Sequence, residues 1–258
     1  VLHQGKLVML RNFIPGNSLL ELIPPHGMSN SAFLEIAILL AQELQHLHQK
    51  NILHNDVNPR NFIYNPAEKV VTLIDYEFGS SIENLELQYE QSPQLIGTME
   101  YISPEQTGRM NRKIDYRSDY YGLGATYYEM ICGRPPFLEG DLLKLIHCHL
   151  AIHPVPPSEI KPSISKPIDE ILLKLLAKNA EDRYQSMAGL LSDLNLVLDL
   201  ELSKTQIKKF KPGLQDISSR LTISQKLYGR TSEIQTLEKA YNQALQGDKV
   251  LLTLSGQS

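Results

Sequence analysis

The amino-acid sequence predicts an α+β fold, a short strand-rich opening followed by a mainly helical body. Three observations carry that reading. Val70-Val71-Thr72-Leu73-Ile74 is apolar and β-branched, as a buried strand should be. Ile36, Leu40, Leu44 and Leu47 repeat at helical spacing on one face of a long pattern. From Asp115 to Leu200 helical patterns dominate. With 258 residues, 42% hydrophobic and 21% charged, the composition is that of a globular chain, not a disordered one.

Each element follows from local chemistry. Lys6 to Phe13 is a short apolar run that reads as a strand, and Pro15-Gly16-Asn17 as a turn. Ser18 caps a short helix to Ile23, which Pro24-Pro25-His26-Gly27 ends. Ser31 opens the long helix to Lys50. Asn51 to Asn61 is polar, contains Pro59 and reads as a loop. Asn61–Tyr64 and Val70–Ile74 are two strands around the turn Asn65-Pro66-Ala67-Glu68. Asp75 to Glu105 has weak periodicity and reads as a long acidic loop, a length often tied to function. Helices are expected over Ser118–Cys132, ending at Gly133, then Asp141–Ile152, Ile168–Lys178 and Ser186–Leu200. A helix over Ser232–Gln246 and a strand over Val250–Leu254 close the chain.

Charge and cysteine usage exclude several classes. A net charge of −4 and a pI near 6.1 argue against a dedicated nucleic-acid binder. Cys132 and Cys148 cannot form a disulfide framework, and they suit a reducing, cytoplasmic compartment. Both read as buried small apolar groups. No apolar run reaches the ~18 residues of a membrane span, and the N-terminus lacks a signal-peptide layout. Five of the 12 tyrosines fall between Tyr116 and Tyr128, where they should pack a central helix with their hydroxyls on polar partners.

The densest chemical signal is His54-Asn55-Asp56-Val57-Asn58-Pro59-Arg60-Asn61, followed by Asp75 at the end of a buried strand. Phosphoryl transfer needs few protein groups: a carboxylate to orient and deprotonate the attacking hydroxyl, and oxygen ligands to hold Mg²⁺ on the nucleotide phosphates. This pattern resembles the catalytic loop of the protein kinase family, with Leu73-Ile74-Asp75-Tyr76-Glu77 where that family has Asp-Phe-Gly. Gly97-Thr98 through Ser103-Pro104-Glu105 resembles the end of an activation segment. Asp119-Tyr120-Tyr121-Gly122-Leu123-Gly124, Gly133-Arg134-Pro135-Pro136-Phe137 and Glu181-Asp182-Arg183-Tyr184 complete the set in order. The resemblance implies a kinase-like fold, mainly the helical C-lobe with a shortened N-lobe, that uses ATP and Mg²⁺. It implies Asp56 as base, Asn61 and Asp75 as metal ligands, Asn58 and Thr98 beside the transferred group, and Leu10, Arg11, Asn12 and Phe13 on the adenine side. His54, Glu105, Asp119 and Arg183 take structural roles, with Glu105 and Arg183 expected as a buried ion pair.

More narrowly, Thr107-Gly108-Arg109-Met110-Asn111-Arg112 with Asp115-Tyr116-Arg117-Ser118-Asp119 resembles multidomain signalling proteins. In those proteins a serine/threonine kinase domain precedes a P-loop ATPase and sensor histidine-kinase modules. Residues 1–200 would then be the kinase domain, 201–225 a linker and 226–258 the start of the ATPase. There Leu251-Leu252-Thr253-Leu254-Ser255-Gly256 runs towards a phosphate-binding loop. Protein substrates and those downstream domains are the implied partners.

The departures from the family pattern matter. No Gly-rich loop or strand lysine precedes Leu10, so weak turnover is expected of this chain alone. Asn55 stands before Asp56 where the family has arginine, which disfavours activation by segment phosphorylation. Asn58 stands where a lysine is usual, and Glu77 replaces a glycine. The His-Asn-Asp and Ile-Asp-Tyr-Glu elements are similar to choline and ethanolamine kinases, while the longer match after Gly97 favours a protein acceptor. A degenerate, partner-docking kinase domain and a small-alcohol kinase remain the alternatives.

Overall fold

The computed structural model describes residues 2–3, 6–7, 12–81, 97–110, 112–204, 210–217, 231–247 and 249–253. The chain divides into two units, Val1–Leu221 and Thr222–Ser258.

The first unit opens with the antiparallel pair β1 (Leu2–His3) and β2 (Lys6–Leu7). Of the expected strand over Lys6–Phe13, only Lys6–Leu7 is a strand among the described residues; Asn12 and Phe13 are irregular. β3 (Asn17–Ser18) leads into the short helix α1 (Leu19–Leu22). Ser18 precedes that helix but does not cap it with its side chain, because its Oγ donates to the Pro59 carbonyl instead (3.3 Å). The long helix α2 spans Asn30–Gln49. Its cap is Ser29, two residues before Ser31, and the Ser29 Oγ accepts from the Ala32 amide.

β4 (Ile52–Leu53) follows, then β5 (Phe62–Asn65) and β6 (Val70–Leu73). β5 and β6 form a hairpin with Phe62 opposite Leu73, and β3 pairs with the outer side of β5. β7 (Ser80–Ser81) returns to pair with β4, so part of the expected acidic loop is a strand. Glu83, Glu86 and Glu90 of that loop lie outside the described residues.

The helical body follows: α3 (Tyr116–Cys132), α4 (Leu142–Ala151), α5 (Pro157–Ile160), α6 (Lys166–Leu175) and α7 (Met187–Ser203). Every residue of α3 is buried. A helix buried all round needs no apolar stripe, so nothing in the pattern marks its true start: Asp115, three residues before Ser118, caps it by accepting from the Arg117 amide. The tyrosine hydroxyls find partners, Tyr121 on His149 Nδ1 (2.9 Å), Tyr127 on the Ala37 carbonyl (2.5 Å) and Tyr128 on the Val155 carbonyl (2.8 Å). Gly133 ends α3 with φ +77, and a Cβ there would lie 2.3 Å from the Pro25 carbonyl oxygen. The core joins Leu34, Leu40 and Leu44 of α2 to Leu123 and Met130 of α3, Leu172 of α6, and Leu190 and Leu194 of α7.

Three expectations are corrected. α6 stops at Leu175 instead of Lys178, where the Ala177 amide tightens onto the Lys174 carbonyl (3.3 Å), and Arg183 binds the Ala177 and Lys178 carbonyls beyond it (2.8 and 3.1 Å). Cys132 is buried, but Cys148 is partly exposed. The 201–225 stretch is not simply a linker: α7 runs to Ser203, and residues 210–217 dock back on the body. Asp216 accepts from the Gln185 and Ser186 amides (2.7 and 2.8 Å), Gly213 donates to Asp193 (2.6 Å), and Phe210 packs on the core.

In the second unit α8 spans Thr231–Leu245. Val250–Thr253, expected as a strand, has no regular structure, for no described residue pairs with it. Leu254 and Gly256 lie outside the described residues.

Candidate active site

The site is built on the loop between β4 and β5. Asn58 starts a 3-10 turn, Pro59–Asn61, by accepting from the Arg60 amide (2.9 Å). The β5–β6 register then sets Asn61 beside Ile74, whose amide donates to the Asn61 carbonyl (2.8 Å), so that Asn61 and Asp75 stand on adjacent strand ends. Asp75 is in the left-handed region, φ 65, where β6 ends and the chain turns.

Asp56 is the centre of the hydrogen-bond pattern. Its Oδ1 accepts from the Thr98 amide (2.7 Å) and its Oδ2 from Asn61 Nδ2 (3.0 Å). Asn61 Nδ2 also reaches the Asp56 carbonyl (2.9 Å), as does Asn58 Nδ2 (3.0 Å), which further donates to Thr98 Oγ1 (3.2 Å). Thus four of the residues singled out in the sequence, Asp56, Asn58, Asn61 and Thr98, meet around one carboxylate.

Behind them, buried Asp119 at the start of α3 holds the loop backbone. Its carboxylate accepts from the His54 amide (2.9 Å) and the Asn55 amide (2.8 Å), and lies 2.8 Å from His48 Nε2. Burial alone would raise the Asp119 pKa, but the hydrogen bond and charge of His48 and the His54 amide outweigh it and hold the carboxyl below its ordinary range. His54 Nε2 lies 3.0 Å from the Ile74 carbonyl, and its ring packs on Tyr76 with centroids 5.1 Å apart. Gly122 permits the close approach of α3: a Cβ there would stand 2.8 Å from the Val57 carbonyl oxygen.

Glu105 and Arg183 are paired in the interior, Nη1 to Oε1 at 2.6 Å and Nη2 to Oε2 at 2.8 Å. Ser118 Oγ adds a third bond to Glu105 (2.7 Å). Burial pushes the Glu105 pKa up, and the Arg183 charge and hydrogen bond reverse that shift, leaving the carboxylate ionised below its ordinary value.

Sequence reasoning missed several neighbours. Gln106 Oε1 accepts from the Ser103 amide (2.9 Å) while its Nε2 donates to the Asn55 carbonyl (2.6 Å). The Tyr101 hydroxyl donates to Glu129. His48, which meets Asp119, belongs to none of the sequence motifs. Neutral amides carry no charge signal, and nothing but proximity to Glu105 pointed to Gln106. Of the four residues expected beside adenine, Asn12 and Phe13 are exposed, Phe13 88% so, while Leu10 and Arg11 lie outside the described residues.

The protein kinase domain family matches residues 1–193. The chain belongs to the protein kinase family. Similar proteins include the serine/threonine-protein kinase PknB of Mycobacterium leprae, 34% identical over 187 residues, which cover 72% of this chain and 29% of that protein. PknB of Mycobacterium tuberculosis is 33% identical over the same shares. Hybrid signal transduction histidine kinase G of Dictyostelium discoideum is 29% identical over 315 residues, 88% of this chain and 9% of that protein. The chain therefore spans under a third of the length of these relatives. Within the kinase fold the observed carboxylate, amide and hydroxyl groups stand at the mouth of the β4–β5 loop. No helix among the described residues is long and apolar enough to cross a membrane.

Proposed function

We propose that this chain carries the catalytic loop and helical lobe of a serine/threonine protein kinase, transferring the ATP γ-phosphoryl group to a protein hydroxyl. The observation that carries the reading is the fixed Asp56 carboxylate, held by the Thr98 amide and the Asn61 side chain. A carboxylate so oriented receives the hydrogen bond of an incoming hydroxyl and accepts its proton as the oxygen attacks. Asn58 keeps Thr98 in place, and Thr98 Oγ1 borders the acceptor position.

Asn61 and Asp75 fit Mg²⁺. Both offer hard oxygen atoms, and with Nδ2 committed to Asp56, Asn61 presents its amide oxygen. Bound Mg²⁺-ATP supplies the phosphoryl group and neutralises the charge that builds on it. Leu10, Arg11, Asn12 and Phe13 are assigned to the adenine side on the resemblance. His54, Glu105, Asp119 and Arg183 hold the scaffold.

We also infer a multidomain signalling context, with the kinase domain at 1–200, a stretch at 201–225 whose residues 210–217 pack on that domain, and the start of a P-loop ATPase at 226–258. The match to the Dictyostelium protein supports this by extending over 88% of the chain. The family match by contrast ends at residue 193. Such a domain works in the cytoplasm, where ATP is supplied. One observation favours a second reading, a degenerate docking module: Asn58 is buried with its amide spent on Asp56 and Thr98, and it brings no positive charge to the phosphoryl group.

Radiolabelled ATP with the full-length protein separates the readings. Label on serine or threonine of a protein acceptor is expected. Label on choline or ethanolamine instead would move the assignment to small-alcohol kinases, and no transfer at all would leave the docking module.

A further inference from the structure

Asn55 makes four hydrogen bonds to three separate segments, while its buried Oδ1 has no partner among the described residues. Its amide donates to Asp119 Oδ1 (2.8 Å), and its carbonyl accepts from Gln106 Nε2 (2.6 Å). Its own Nδ2 donates to the Phe78 carbonyl (2.8 Å) and to Ser80 Oγ (2.9 Å). One residue is thus bonded to α3, to the 3-10 turn Pro104–Thr107 and to the stretch that follows Asp75.

Two features say why such a tie is needed. Asn55 has φ 63 and Asp75 φ 65, both in the left-handed region, which asparagine and aspartate tolerate better than other non-glycine residues but which still leaves the chain to be held by its contacts. The ladder that joins their segments, β4 with β7, is only two residues long on each side, too short to persist unaided. The Asn55 side chain closes that ladder from the catalytic-loop side.

We propose that Asn55 is a positioning residue whose neutral side-chain amide latches the Asp56 loop to the segment after Asp75, fixing base and metal ligand relative to each other. The proposal rests on the kinase reading above. The latch acts through Asp56 and Asp75 and does not touch the reactants. Asparagine suits the position because it tolerates the left-handed backbone and supplies two N–H donors.

The test compares Asn55→Gly, Asn55→Asp and Ser80→Ala in the full-length protein. Glycine keeps the backbone conformation and removes the latch. Aspartate keeps the shape but sets an acceptor against the Phe78 carbonyl. The latch predicts that Asn55→Gly lowers kcat about tenfold or more and raises the Mg²⁺ concentration needed for half-maximal rate, with KM for the protein acceptor little changed. Asn55→Asp should be at least as impaired as Asn55→Gly, and Ser80→Ala should lose less. Amide hydrogen exchange at 78–81 should quicken in Asn55→Gly, while α6 and α7 stay protected. Near-normal kcat and Mg²⁺ dependence in Asn55→Asp would overturn the proposal, since the side chain would then be filling space only. Unchanged exchange at 78–81 in an active Asn55→Gly enzyme would overturn the latch and leave the kinase assignment intact. A wild-type protein without transfer sinks the kinase assignment and the catalytic role of the latch with it.

Discussion

Arg183 shows what a single buried charge demands. It is fully buried, and its guanidinium meets Glu105 twice and the Ala177, Arg117 and Lys178 carbonyls. Removing one partner strands the other without water. Glu105→Ala should therefore cost roughly 3–5 kcal/mol of stability, read as a shift in the urea midpoint at unchanged slope. A loss under about 1 kcal/mol would show the pair to be solvated. The Glu105–Arg183 pair, buried Asp119 and the cluster of Asn58, Asn61 and Thr98 around Asp56 were legible in the sequence because motif spacing and chemistry agreed. Gln106 and the bonds of Asn55 were not, because an amide's role depends on which carbonyls fold within reach, and those come from segments far away in the chain.

At the scale of elements, the amphipathic helix α2 and the β5–β6 hairpin were readable from period and turn chemistry to within a residue or so. α3 was harder: burial on all sides erases the stripe that sets a helix register. Its contact with the loop predicts that Gly122→Ala, which sets a methyl against the Val57 carbonyl, lowers both Tm and turnover, whereas alanine is otherwise the better helix former. A raised Tm would contradict that packing. The return of residues 210–217 was invisible because its composition is that of a linker, and the Asp216 bonds to the start of α7, the Gly213–Asp193 bond and the packing of Phe210 show otherwise. Asp216→Ala should cost about 1 kcal/mol, as a lost helix cap does, and a chain cut before Phe210 should lose more, both by thermal unfolding.

For the whole molecule, acid stability follows from His149, fully buried against Tyr121. Burial first, and the Lys178 charge second, push its pKa from 6.5 down to about 3. The unfolded chain therefore takes up a proton that the folded chain refuses, and stability falls as pH drops from about 6.5 towards 3. The slope is at most about 1.4 kcal/mol per pH unit. His149→Gln should flatten that limb between about pH 6.5 and 4.5, above the range in which Glu105 and Asp119 lose their charge. An unchanged limb would mean that His149 is protonated in the folded state. The proposed role of Asp56 is that of the base in phosphoryl transfer. Its most direct test is single-turnover transfer from ATP to a protein acceptor by the full-length protein and its Asp56→Asn variant. The variant should bind Mg²⁺-ATP as before and transfer about 10²–10⁴ times more slowly. Equal transfer by the two proteins would contradict the account.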